Sequence, residues 1–106
     1  MASPNRNSLE EILAEHRLLA ILRVLNVLLE NKGNLPLMRD WLDAVGLAAT
    51  SDIIRADLRL LKEKGLIELY ETEPSWPIVL TERGGDVAEG RLKTEGVCKA
   101  GPGCVY

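Results

Sequence analysis

The chain has 106 residues, 46% of them hydrophobic and 27% charged, the composition of one globular domain rather than of a disordered or fibrous chain. Its 13 Lys and Arg face 16 Asp and Glu, a net charge of −3, so the composition as a whole advertises no polyanionic partner. One histidine, His16, and two cysteines, Cys98 and Cys104, are too few for a multi-ligand metal site, and no cofactor is expected.

In chain order, residues 1–7 read as a flexible N-terminus. Ser8 followed by Glu11 has the spacing of a capping box, so one long helix is expected from Leu9 to Asn31. Lys32-Gly33 is its expected stop, with the glycine taking the left-handed cap. Pro36 suits the first turn of a second helix, whose apolar set Leu37, Met38, Trp41, Leu42 and Val45 keeps helical spacing up to Gly46. Thr50 or Ser51 caps a third helix that runs to Lys64 and stops at Gly65.

After Gly65 the period changes from helical to alternating. Leu66 to Glu71 reads as a strand, with Ile67 and Leu69 apart from Glu68 and Tyr70. Thr72 to Ser75 reads as a turn and Trp76 to Leu80 as the returning strand, with Pro77 confining part of it to an edge. Thr81 caps a short last helix to about Arg91, and residues 92–106, without periodicity, read as a flexible tail. The expected fold is mainly α with a small β-hairpin, in the order α-α-α-β-β-α. A tight two-helix unit followed by a hairpin is a winged helix-turn-helix, here spanning residues 8–91.

The stretch LMRDWLDAVGLAATSDIIRADLRLLKEKGLIELYE, continued by PIVLTERG, resembles the winged helix-turn-helix of bacterial MarR, PadR and ArsR-type regulators. The matching positions are the Gly46-Leu47 turn, Leu58 and Leu61 before Gly65-Leu66-Ile67, and Leu80-Thr81-Glu82-Arg83-Gly84. More narrowly, EILAEHRLLAILRVL with LTERGGDVAEGR is similar to a small winged-helix protein of Mu-like phages and prophages. The resemblance implies DNA binding and transcription regulation; separately, one histidine and scattered carboxylates form no nucleophile–base or metal-binding pattern, so no enzyme is expected. It puts the third helix in the major groove, where Arg55 and Arg59 meet base edges, Lys62 meets phosphate, and Thr50 or Ser51 bonds phosphate from the helix start. A small-molecule effector stays undefined.

On a wheel of about 100° per residue, Ile54, Leu58 and Leu61 share one face of that helix, and Asp52, Arg55, Arg59 and Lys62 the opposite one. The same pattern describes a solvated face. The hairpin argues against DNA: from Gly65 through Glu89 one basic residue, Arg83, meets six acidic ones, Glu68, Glu71, Glu73, Glu82, Asp86 and Glu89. An adaptor that turns its acidic wing, Glu71 and Glu73, toward a basic protein is therefore the alternative function. Trp76 beside that wing is either an exposed anchor or folded back over the sheet.

Between Leu18 and Leu29 apolar residues fill roughly 220° of the wheel, where a surface helix needs about 100°. Burial inside the chain would account for it, as would a homodimer through Leu18, Ile21, Leu22, Leu25, Leu28 and Leu29, the expectation adopted. His16 reads as a helix-surface imidazole, and Cys98 and Cys104 as inert thiols, with a reversible disulfide as the other reading. No apolar run reaches the roughly 18–20 residues of a membrane span, no signal peptide is recognisable, and a cytoplasmic location is expected.

Overall fold

The computed structural model describes residues 6–102 and 104–106. Helix α1 spans Arg6–Val27, α2 Leu35–Ala44, α3 Ser51–Glu63 and α4 Glu82–Ala88. Three short strands, β1 (Lys32–Gly33), β2 (Ile67–Leu69) and β3 (Ile78–Leu80), form one antiparallel sheet in the order β1-β3-β2.

Helix α1 already includes Arg6, so Ser8 lies inside the helix and is not its cap. Of the expected flexible N-terminus, residues 1–5 lie outside the described residues, and residues 6 and 7 are helical. At its other end α1 stops at Val27, before the expected Asn31, and a 3-10 turn follows over Leu29–Asn31. The left-handed positions there are Glu30 (φ 56°) and Asn31 (φ 57°), not Gly33. Asn31 tolerates that backbone because its side chain bonds locally: Nδ2 donates to the carbonyls of Leu25 at 3.1 Å and Asn26 at 3.3 Å. Gly33 serves instead as a close approach, since a Cβ on it would sit 2.9 Å from Leu25 Cδ2.

The later boundaries follow their caps. The Asn34 side chain accepts from Leu37 N at 2.9 Å and Pro36 occupies the first turn of α2. Thr50, the first of the two expected candidates, caps α3 by accepting from Ile53 N at 3.3 Å. Gly65 (φ 76°) ends it, with Leu66 N returning to Leu61 O at 3.0 Å. Thr81 accepts from Gly84 N at 3.0 Å and donates its hydroxyl to Gly65 O at 2.8 Å, pinning the start of α4 to the end of α3. Helix α4 stops at Ala88, short of the expected Arg91.

In the hairpin, Ile67 and Leu69 point inward and Glu68 outward, as alternation requires. Strand β3 begins at Ile78 rather than Trp76, because Trp76 has φ 48° and is not extended. It is the central strand, not an edge: Ile78 faces both Gly33 and Leu69. Pro77 stands just before it and withholds no ladder hydrogen bond.

The core is built around α1. Leu18, Leu19, Ala20, Ile21, Leu22 and Leu25 are fully covered by α2, α3, α4 and β3. The described residues of segment 92–106 form no helix or strand, yet the segment is not a free tail: Val97 and Ala100 are buried, and Cys98 N donates to Glu15 O at 3.2 Å. Most of the wide apolar arc of α1 is thus covered within one chain, while Val27 at its end stays exposed. The residues expected at a dimer interface are therefore placed differently from the expectation. Leu18, Ile21, Leu22 and Leu25 are core residues, Leu28 is half-buried, and Leu29 alone is well exposed. Among the described residues no helix is long and apolar enough to cross a membrane.

Candidate nucleic-acid interface

Helix α3 is amphipathic in the strict sense. Ile54, Leu58 and Leu61 lock it to the core, and this fixes the outward direction of Arg55, Arg59 and Lys62. One polar residue faces inward with them. Asp57 is 7% exposed and takes Arg17 Nε of α1 at 2.7 Å. Burial pushes its carboxyl above the ordinary value, and the hydrogen bond and charge of Arg17 pull it back only in part. This pair ties α3 to α1 and sets the rotation of the outer face.

On that outer face the arginines are not free. Arg59 Nε donates to Glu71 Oε1 at 2.6 Å. Arg55 Nη2 donates to Glu73 Oε2 at 3.4 Å and Nη1 to Asp52 Oδ1 at 3.1 Å. Between them lies Trp76, which is folded back and 3% exposed, the second of the two positions considered for it. The guanidinium carbons of Arg55 and Arg59 stand 5.5 and 5.1 Å from its ring centroid, within cation–π range. Its Nε1 donates to Glu73 Oε1 at 2.8 Å, so one carboxylate serves both the indole and Arg55. The β2–β3 hairpin and α3 form one interlocked unit with an indole at its centre.

Two basic side chains therefore meet three acidic ones, Asp52, Glu71 and Glu73, where a continuous positive stripe would be needed. Lys62 is exposed and makes no ion pair among the described residues. Thr50 is exposed, with its oxygen used as the cap, and Ser51 is half-buried in the first turn.

Over 94 residues the chain is 36% identical to the uncharacterized protein gp26 of Escherichia phage Mu, an alignment that covers 89% of this chain and 97% of that protein. The chain belongs to the gp26 family of phage Mu. No protein-family model matches it, and no solved structure does.

In this member of the gp26 family, spacing alone places Arg55, Arg59 and Lys62 on one face, and the structure agrees. The links from that face to the wing were missed. Their signal is present in retrospect: two cations four residues apart match two carboxylates two residues apart, helical repeat against extended repeat.

Proposed function

We propose that the chain is a winged helix-turn-helix DNA-binding protein of phage or prophage origin, acting in transcription regulation in the host cytoplasm, with α3 as its reading helix. The observation that carries the reading is topological. The order α1-β1-α2-α3-β2-β3, with β1 closing the sheet on β3, sets a hairpin beside the second helix of a tight two-helix unit. Docked with α3 in the major groove, Arg55 and Arg59 reach guanine edges, Lys62 meets a phosphate, and the hydroxyls of Thr50 and Ser51 lie at the helix start.

The wing carboxylates must yield for this to happen. An exposed ion pair contributes about 0–1 kcal/mol, so exchanging Glu71 and Glu73 for phosphates is not prohibitive. Arg55 is also incompletely served where it stands, because its Nε is buried with no hydrogen-bond partner among the described residues. The carboxylates remain close to the phosphates after the exchange, so weak non-specific affinity is expected.

Gel shifts across a salt series test this. Arg55→Ala and Arg59→Ala should each lose about 1–3 kcal/mol of discrimination if the residue bonds a base bidentately. Lys62→Ala should weaken all sequences alike and flatten the salt slope. Glu71→Lys with Glu73→Lys should raise non-specific affinity and steepen that slope. Binding unchanged in the Arg55→Ala, Arg59→Ala double variant overturns the reading.

The neutralised α3 face weighs against DNA and supports a second reading, an adaptor that keeps the fold and meets a basic protein whose cations replace Arg55 and Arg59 at the Glu73 and Glu71 carboxylates. For the adaptor, the Glu71→Lys, Glu73→Lys variant should lose its protein partner while DNA affinity stays where it was.

A further inference from the structure

Away from α3, the segment after α4 brings the two cysteines of the chain to its one histidine. The bond from Cys98 N to Glu15 O lays this segment along α1. It leaves Cys98 Sγ 3.9 Å from His16 Nε2, with the carbonyl of Lys99 as a second acceptor at the same distance. The other ring nitrogen, Nδ1, lies 2.6 Å from Tyr106 Oη, and the two rings meet edge to face with centroids 5.7 Å apart. His16, Cys98, Cys104 and Tyr106 line one cavity of about 250 Å3. His16 is therefore not a bare surface imidazole; the segment read as a tail covers it.

The cavity has the parts of a reactive thiol site. Both cysteines are free and both are half-exposed, so a small reagent reaches them. Burial, and the proximity of the two thiols, push the Tyr106 phenol up from its ordinary value, so it stays a neutral hydroxyl. The phenol oxygen lies where it can accept a proton from Nδ1, which leaves Nε2 facing the Cys98 thiol. Both ring nitrogens therefore have a partner, the arrangement by which an imidazole can take a proton from a thiol and return it.

We propose that Cys98 is a peroxide-reactive thiol, that His16 takes and returns its proton, and that Cys104 is the thiol that closes a disulfide with it. In the first step the Cys98 proton passes to His16 Nε2 and the sulfur attacks one oxygen of hydrogen peroxide. An S–O bond forms, the O–O bond breaks, and the departing hydroxide takes the proton from His16 and leaves as water. Sulfur is oxidised by two electrons and peroxide is reduced by two. In the second step the Cys104 sulfur attacks the sulfenic sulfur. The S–S bond forms, the S–O bond breaks, and the hydroxyl leaves as water with the Cys104 proton. The sum is two thiols and one peroxide giving one disulfide and two waters. This site is independent of the DNA-binding reading.

The full-length reduced protein, treated with hydrogen peroxide and weighed intact, decides the matter. The expected product is a monomer lighter by about 2 Da, restored by dithiothreitol. Cys104→Ser should stop at an adduct heavier by about 16 Da that a sulfenic-acid trap captures. His16→Gln, and Tyr106→Phe as the milder variant in case the first does not fold, should slow the reaction, the former about tenfold or more. Disulfide-linked dimers, oxidation to sulfinic acid without loss of the 2 Da, or a Tyr106→Phe rate equal to the parent's would each overturn the proposal.

Discussion

Gly65 and Gly84 flank the hairpin and are held to glycine by different forces. At Gly65 the backbone is left-handed (φ 76°) and nothing lies within 4 Å of where a Cβ would stand, so only backbone strain opposes a side chain. Gly65→Ala should cost about 1 kcal/mol. At Gly84 a Cβ would stand 2.0 Å from the carbonyl oxygen of Leu66, and backbone cannot rotate aside. Gly84→Ala must push α4 away from the α3–β2 junction, at about 3 kcal/mol or more. Urea melts of both variants should rank them in that order, and the reverse order would refute the assignment of forces. Asp57 poses a question of sign. Its folded carboxyl binds a proton more tightly than the unfolded one, because burial outweighs the help from Arg17. Its contribution to stability therefore declines as pH rises from the ordinary value through the raised one, and is flat above that window. Asp57→Ala at neutral pH strands a guanidinium that is 13% exposed and should cost about 3–5 kcal/mol. Replacing both partners, Arg17→Met with Asp57→Leu, should recover most of that loss in a denaturant titration.

Between elements, the decisive contact is the β2–β3 hairpin against α3. Trp76→Ala should cost about 3–5 kcal/mol in a thermal or chemical melt, as for other buried indoles. It should also free Arg55 and Arg59 from their platform. Trp76→Phe keeps an aromatic face but loses the Nε1 donor to Glu73 and part of the ring volume, so it should cost less than the alanine. These elements differ in how legible they are. Helices α2 and α3 and the strands of the hairpin carry their own punctuation (Pro36, Thr50, Gly65, the alternation of Ile67 and Leu69), and their boundaries can be read within a few residues. Strand β1 cannot be read: two residues hold no alternation, and Lys32-Gly33 is extended only because β3 lies beside it. The left-handed pair Glu30 and Asn31 is hidden for a similar reason, since a glycine two positions later advertises the turn more strongly. On α3, helical spacing gives the direction of Arg55 and Arg59 correctly. Their partners stand 18 and 12 positions away, across a loop in which Trp76 takes a positive φ that no local pattern announces. Carboxylates expected to repel DNA are instead spent on the helix beside them.

For the molecule as a whole, the position of α1 decides what its leucines do. Leu22→Ala opens a cavity in a core that α4 and α3 also share, and should cost about 2–5 kcal/mol. Its melting temperature should not change over about a hundredfold range of protein concentration, because no second copy is needed to cover Leu22. A melting point that climbs with concentration would restore an intermolecular role to α1. The same central position has a consequence for synthesis. Arg23 of α1 holds the carbonyl of Ala88 at 3.0 Å across 65 positions, and His16 meets Tyr106 across 90. A ribosome delivers α1 well before these partners. For most of the chain's emergence the row Leu18, Ile21, Leu22 and Leu25 therefore waits without its final covering, an apolar helix exposed to chaperones and to neighbouring nascent chains.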